Sequence, residues 1–386
     1  MPEQFLHGAE VVEITDGARP ISTVSASVIG LVGIAPDADA LLFPLNTPVL
    51  VTSKAEAAKL LPAGTLMSSI DGIYDQTGAV VVVVRVEEGA DDAATQSNII
   101  GGVNGTTGEY EGLEALTAAE SKIGAEPRIV IAPGYSQIMA VATTMLTVAE
   151  SLKAVAILDG PNTTDADAKT YAGNFGDRRA YTIDPWVTVW DTNTDAEVSE
   201  PPSARAAGML AKSDNDRGFW WSPSNTIMKG ITGTTRSVPF KLGDTTCRAN
   251  LLNADNITTI INQNGFRLWG NRTLSTDPVW AFLNVVRTND MINDSIQRAH
   301  LWAVDRNITK TYLEDVAEGV NNYLRHLTSI GAILGGTCWA DPDLNTPSQL
   351  QQGKVYFDYD FTPPAPAEHI TFRSHLVSDY FANIFK

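Results

Sequence analysis

The side chains able to act as nucleophiles, bases or metal ligands are few in this chain, and their spacing matches no working pattern. There are five histidines, His7, His300, His326, His369 and His375, and none stands in an HExxH pair or beside a cysteine at metal-ligand spacing. Cys247 and Cys338 are the two cysteines and form no CxxC, so they read as plain thiols, not a disulfide framework or a zinc site. Ser136 follows a strand-like run in GYSQI, but a nucleophile elbow needs a glycine where Ile138 stands. The stretch GGVNGTTGEY has no lysine after Gly108 to hold a phosphate, and GLVGIA is too short for a dinucleotide fingerprint. EEGADD and PNTTDAD gather carboxylates without the ligand order of a calcium loop and read as solvated acidic loops. The expectation is a chain with no catalytic residue, no metal site and no cofactor.

A chain of 386 residues with 44% hydrophobic content suffices for one large core or two moderate ones. No apolar run reaches membrane-spanning length, and MPEQFLHGAE lacks the basic and apolar regions of a secretory signal, so the chain is expected to stay in the cytoplasm where it is made. The formal charge of -18 argues against nucleic acid as a direct partner, because phosphate binding needs clustered Lys and Arg. The charge is uneven. Residues 1–229 hold 30 Asp and Glu against 14 Lys and Arg, whereas residues 230–386 hold 15 against 13. An acidic surface that keeps the chain soluble accounts for this, and so does a first part facing water with a second part facing other protein.

From Thr23 the pattern alternates. VSASVIGLVGIA and GAVVVVVRVEE read as buried strands, and TPVLVTSKAEAAKLL as a strand leading into a helix capped at Thr52 or Ser53. GLEALTAAESKIG and SQIMAVATTMLTVAESLK read as helices, each followed by a strand, PRIVIAPG and AVAILDGP, and DRRAYTIDPWVTVWD comes next. Strands alternating with helices predict an α/β unit on a mainly parallel sheet. Beyond a Gly, Thr and Ser-rich crossing the texture becomes α+β. A short helix is expected from Asp255 or Asn256, a turn at Asn264 and Gly265, and a strand FRLWG. A long helix is expected to open with Asp277 as N-cap and Pro278 at its first position. Another is expected over 311–328, with Leu313, Val316, Val320, Tyr323, Leu324 and Leu327 on its apolar face.

Both ends carry strand patterns without an evident local partner. Ala9, Glu10, Val11, Val12, Glu13, Ile14 and Thr15 form one, flanked by Gly8, Asp16, Gly17 and Pro20. Near the other end, Val355, Phe357, Tyr359 and Phe361 alternate with polar residues; Pro363, Pro364 and Pro366 follow, and then EHITFRSHLV, with Ile370 and Phe372.

Several longer stretches, in this order, resemble the contractile tail sheath family of myophages and R-type pyocins. They are GARPISTVSASVIGLVGIAP, SARAAGMLAKSDNDRGFWWSPSN, LNADNITTIINQNGFRLWGNRTLSTDPVWAFLNVVRTNDMI, AHLWAVDRNITKTYLEDVAEGVNNYLRHLTSIGAILGG and YFDYDFTPPAPAEHITFRSHLV. The resemblance spans nearly the whole chain, which is compact like the pyocin-type sheaths. It implies a structural subunit, not an enzyme, that polymerises with copies of itself in a helical lattice around an inner tail tube. The lattice is metastable when extended and contracts to drive the tube through a cell envelope. Baseplate and tail terminator proteins are the further partners implied, with no contact to nucleic acid or membrane by this subunit.

Assembly is then expected in the bacterial host cytoplasm, followed by release as a phage tail or pyocin particle. The expected organisation is an N-terminal strand arm over 1–20, an outer acidic α/β domain over 21–229, an inner α+β domain over 230–352, and a C-terminal strand and arm over 353–386. Strands Ala9–Thr15 and Val355–Phe361 with Ile370 and Phe372 are expected to complete sheets of neighbouring subunits. Gly8, Gly17, Pro20, Pro363, Pro364 and Pro366 are the expected hinges, and Lys310, Arg325 and His326 the expected tube contact. An α/β enzyme acting on a small molecule and a secretion-system sheath are the alternatives.

Overall fold

The six residues Val81–Val86 are buried at every position, as a β-branched run covered on both faces must be. In the computed structural model, which describes residues 20–192 and 194–384, this run is strand β3 of a six-stranded sheet. The sheet order is β2 (Val49–Val51), β3, β1 (Ile29–Ile34), β6 (Ile129–Ile131), β7 (Val155–Asp159), β8 (Ala180–Ile183). All neighbours run parallel except β2 and β3. Alternation assigns the two faces. Ile29, Leu31, Val81, Val83, Ile129, Ile131 and Ile157 enter one core, and Val32, Val82, Val84, Val130, Ala156 and Leu158 the other. The first face is covered by α2 (Leu66–Tyr74) and α7 (Ser203–Arg217). The second is covered by α3 (Asp92–Ile100), α4 (Ala119–Ile123), α5 (Met139–Ser151) and α6 (Asp165–Gly173). The short α1 (Lys54–Ala57) is capped by Ser53, and Glu56 reaches back to the Thr52 N–H, a reciprocal cap.

Three short β units decorate this body. They are the hairpin β4 (Gly102–Val103) with β5 (Tyr110–Glu111), the sheet of β9 (Val187–Asp191), β10 (Ala196–Glu200) and β11 (Gly233–Thr234), and the hairpin β12 (Thr259–Asn262) with β13 (Phe266–Trp269). The β12–β13 turn uses Asn264 and Gly265 at φ 53° and 103°, the left-handed geometry that an Asn-Gly pair tolerates best. The expected helix at Asp255 is not found. A helix, α8 (Arg248–Ala254), ends there instead, Asn256 turns at φ 59°, and the β-branched Thr258, Thr259, Ile260 and Ile261 extend.

A third core lies apart from the sheet. It joins α9 (Leu283–Ala299), α10 (Lys310–Ser329), and the hairpin of β14 (Gly336–Ala340) with β15 (Phe357–Phe361), between which sits α11 (Pro347–Gln351). Ile21, Val24 and Ala26 pack into it. Val238, Leu252, Ile257, Ile260, Leu268 and Leu274 belong to the two sheet cores. The expected division at 229/230 is therefore crossed by packing in both directions: residues 21–26 join the third core, and residues 238–274 join the sheet. The long helix is also shorter than expected. Asp277 caps only a 3-10 turn, Pro278–Trp280, because Leu283 N–H and Phe282 then pair back to Asn271 and Arg272, and α9 begins after that pairing.

The C-terminal ends of the parallel strands, where open α/β sheets usually receive ligands, are closed by the protein itself. Asp159, at the end of β7 and fully buried, accepts from Ser136 Oγ at 2.7 Å, Ser203 Oγ at 2.8 Å and Ser203 N–H at 2.9 Å. It thus ties the β6–α5 loop to the first turn of α7, and Ser136 is buried in this network. Burial pushes the Asp159 carboxyl up to about 6 against the pull of those donors. A carboxyl raised in the folded state contributes stability that is present below its unfolded pKa and is lost as pH rises through about 6. At about 1.4 kcal/mol per pH unit this amounts to roughly 3 kcal/mol. Asp159→Asn is therefore expected to flatten the fall in unfolding free energy between about pH 4 and pH 7, read from urea titrations at each pH.

Candidate assembly interface

Helix α9 carries a stripe of charges at helical spacing, Arg287, Asp290, Asp294 and Arg298, and every one is paired with the sheet body. Arg287 grips Asp214, near the end of α7, with two bonds of 2.6 Å and donates to the Ala26 carbonyl at 2.9 Å. Asp290 accepts from Arg179, just before β8, at 2.6 Å. Asp294 meets Arg128, just before β6, and Lys153, just before β7, the latter at 3.3 Å. Arg298 binds Asp294, Glu120 and Glu126. The helix therefore lies along the starts of the parallel strands, and side chains of both partners in the first two pairs are at most 5% exposed. Burial pushes Asp214 and Asp290 up, opposed by Arg287 and Arg179. Burial also raises Asp294, but Arg128 and Arg298 outweigh it and hold the group below its ordinary value.

The far end of the third core is the β14–β15 hairpin. Phe357, Tyr359 and Phe361 face the core, and the Tyr359 hydroxyl bonds Asn293 Oδ1 at 2.7 Å. The strand expected to reach a neighbouring subunit pairs within its own chain on one edge: β15 meets β14 along its full length, and its apolar side seals α9 and α10. Val355 lies before the strand in irregular backbone. After β15 the chain turns back over the body. Asn284 Nδ2 donates to the Pro364 carbonyl at 3.1 Å, and Arg272 clamps Glu368 with bonds of 2.7 and 3.0 Å. Pro363, Pro364 and Pro366 are thus half-buried on the body, upstream of this clamp. Beyond Glu368 the segment 369–377 is exposed and forms no strand; Ile370 is 65% and Phe372 92% exposed. Pro20 is exposed and outside any element, while Gly8, Ala9–Thr15 and Gly17 lie outside the described residues.

The three expected tube-contact residues are all on α10 and exposed, but they do not form one cluster. Lys310 starts the helix and Arg325 and His326 sit in its last turns, roughly 22 Å away at 1.5 Å per residue. Lys310 faces Glu314 at 3.6 Å, and Arg325 pairs with Glu318, so this surface carries both signs of charge.

Among the described residues no group of three or more His, Cys, Asp or Glu is placed to hold a metal, and no helix is long and apolar enough to cross a membrane. An open depression of about 620 Å³ is lined by Glu150, Asp177, Arg178, Thr276 and Trp280, at the opposite end of the strands from a ligand crevice. A sheet closed at its ligand end, joined to a helical core that presents an exposed apolar tail, defines a structural building block.

Comparison with known proteins gives the family. Residues 27–86 match the tail sheath protein Gp18 domain III N-terminal region, 108–274 the phage tail sheath protein central domain, and 275–376 the phage tail sheath C-terminal domain. The chain is 49% identical to a putative prophage major tail sheath protein of Pseudomonas aeruginosa (strain UCBPP-PA14) and 41% identical to the tail sheath protein of Escherichia phage P2, covering 98% of each chain in both pairs. Its fold matches the anti-feeding prophage helical sheath in its contracted state, with a TM-score of 0.73 at 20% identity over 95% of this chain and 98% of that one. The chain belongs to the phage tail sheath family. It is a structural subunit of a tail sheath and not an enzyme.

Two outcomes test this geometry. Arg287→Ala strands the buried Asp214 carboxylate and is expected to cost about 3–5 kcal/mol in urea unfolding, with most of it recovered when Asp214 is replaced by Leu and Arg287 by Met together. Glu368→Ala removes a partly exposed pair whose contribution is about 0–1 kcal/mol, so the melting temperature should hardly move. New proteinase K cleavage should nevertheless appear within 362–368, detected by mass spectrometry.

Proposed function

We propose that the chain polymerises with copies of itself into a helical sheath around an inner tail tube, extended and metastable at first, and that contraction of this lattice drives the tube through a cell envelope. The observation that carries this reading is the segment 369–377, whose large apolar side chains have nothing among the described residues to cover them. A strand pattern exposed in this way gains its hydrogen bonds and burial from another chain, and main-chain pairing holds subunits together while the segments before it flex. The N-terminal strand Ala9–Thr15 is the second donor, with Gly8, Gly17 and Pro20 as its hinges. For the C-terminal donor the flexing point is the chain after Glu368, and Pro363, Pro364 and Pro366 stiffen its base.

In this reading residues 20–26 with 283–361 form the inner, tube-proximal unit and the sheet body the outer one. The α9 charge stripe makes the two move together. Helix α10 faces the tube with Lys310, Arg325 and His326, through a mixed-charge contact shared with Glu314 and Glu318. Baseplate and tail terminator proteins hold the two ends of the lattice. Assembly occurs in the bacterial host cytoplasm, and the particle is then released. Contraction draws on the free-energy difference between two packings, multiplied over many copies, and needs no cofactor.

Negative-stain microscopy of the purified full-length protein is expected to show hollow tubes of uniform diameter. A chain ending at Glu368 should keep its circular dichroism spectrum and form none. Monodisperse small particles from the full chain, or tubes from the shortened one, would overturn the reading.

A further inference from the structure

Two asparagines of the chain stand directly before a glycine, Asn104 and Asn264, and each lies in the loop of a hairpin, the first in β4–β5 and the second in β12–β13. A glycine in the next position has no Cβ to keep its backbone nitrogen away from the asparagine side chain. The two loops treat that side chain differently. Asn104 is engaged at both ends: its Oδ1 accepts from the Thr106 and Thr107 N–H groups at 2.9 and 3.1 Å, and its Nδ2 donates to Glu111 Oε1 at 2.8 Å.

Asn264 is exposed, and among the described residues its side chain makes no hydrogen bond. The Gly265 N–H has no acceptor there either, because the loop is closed by the Gln263 N–H, which donates to the Gly265 carbonyl at 3.0 Å. The surroundings are open: a Cβ built on Gly265 would meet nothing nearer than Ile227 at 3.8 Å. One cation is fixed at this turn. Arg267 Nε donates to the Gln263 carbonyl at 2.9 Å and Nη1 to the Asn225 carbonyl at 2.9 Å, and among the described residues this guanidinium takes part in no ion pair. Negative charge that develops at the turn is favoured by it.

We infer that Asn264 is a site of self-modification by deamidation, with Arg267 as the cation that favours it and with Asn104 held out of the same reaction by its hydrogen bonds. The Gly265 nitrogen gives its proton to solvent base and attacks Asn264 Cγ. The new N–C bond closes a succinimide ring as the Cγ–Nδ2 bond breaks, and the departing nitrogen takes up a proton and leaves as ammonia. Water then adds to one of the two ring carbonyls and opens it, giving aspartate or isoaspartate without oxidation or reduction. Either product puts a carboxylate beside Arg267, and isoaspartate also lengthens the main chain at the tip of the β12–β13 hairpin by a methylene.

The test incubates the folded full-length protein at mildly alkaline pH beside a sample unfolded in urea, digests both with trypsin below neutral pH, and reads the peptides by mass spectrometry. In the folded sample the peptide 249–267 is expected to gain the mass difference between an acid and an amide, located at Asn264 by fragmentation and mostly isoaspartate, while the peptide 86–122 with Asn104 stays unchanged. The unfolded sample should convert at both sites. An unchanged Asn264 in the folded protein, an equal rate at Asn104, or aspartate without isoaspartate overturns the inference. Hydroxylamine, which cleaves a succinimide, should cut the folded chain between 264 and 265 and should not cut Asn264→Gly, whose glycine suits the φ of 53° and keeps the turn. A cut at Asn104 alone overturns the assignment. Arg267→Gln should slow conversion about threefold, although a loosened turn alone would speed it, and Arg267→Lys should restore most of the rate. An Arg267→Gln protein that converts as fast as the parent, or faster, overturns the role of the cation.

Discussion

A line of buried charge on α9 is the constraint from which the rest of the molecule follows. Four residues at helical spacing engage Asp214, Arg179, Arg128, Lys153 and two surface glutamates, so one helix meets the beginnings of three parallel strands and the end of α7. Apolar contacts alone would let two packed units slide, since dispersion and burial are weakly directional. Bidentate guanidinium–carboxylate pairs are directional, and their desolvation makes any arrangement that separates them costly. The sheet body and the helical core are thereby fixed in one orientation. Beyond that contact the chain after Glu368 is exposed and irregular over 369–377.

Much of the fold was legible because its signals are local. The Val81–Val86 run, the alternating strands and helices, the Asn264–Gly265 turn and the apolar face of α10 each follow from periodicity or turn chemistry over a few residues. Helix α7 gives no such signal. Residues Ser203–Ala211 are buried all round, so the small-residue sequence SARAAGMLA has no polar face to contrast with an apolar one. The limits of the two units were hidden for another reason. Residues 21–26 and 238–274 pack far from their sequence neighbours, and chain texture records composition, not which core a segment reaches. The β15 strand shows the same limit. Its alternation reveals a half-buried strand, but whether the partner is β14 or another chain depends on a hairpin closed across α11.

The charge stripe also alters what the net charge means. Arg128, Arg179, Arg205 and Arg287 are all under 6% exposed in their side chains, each spent on a carboxylate inside the molecule. Their partners are buried as well where the pair is fully enclosed, as for Asp214 and Asp290. Pairs of this kind leave the surface with the charge that remains, and most of the exposed excess is acidic. Such a surface keeps subunits dispersed in solution and makes random side-by-side contact unfavourable. Association then has to run through places where the acidic field is answered.

Those places are few, and this makes the outer edge of β15 informative. An unpaired strand edge is a hazard in any soluble protein, and natural sheets blunt it with charge, with bulges or with a covering group. Here the two edges of one hairpin are treated differently: Asn321 satisfies the backbone of β14 at Cys338, while among the described residues β15 keeps its outward groups free and carries Asp358 and Asp360 beside them. The carboxylates repel the acidic surface of an approaching body.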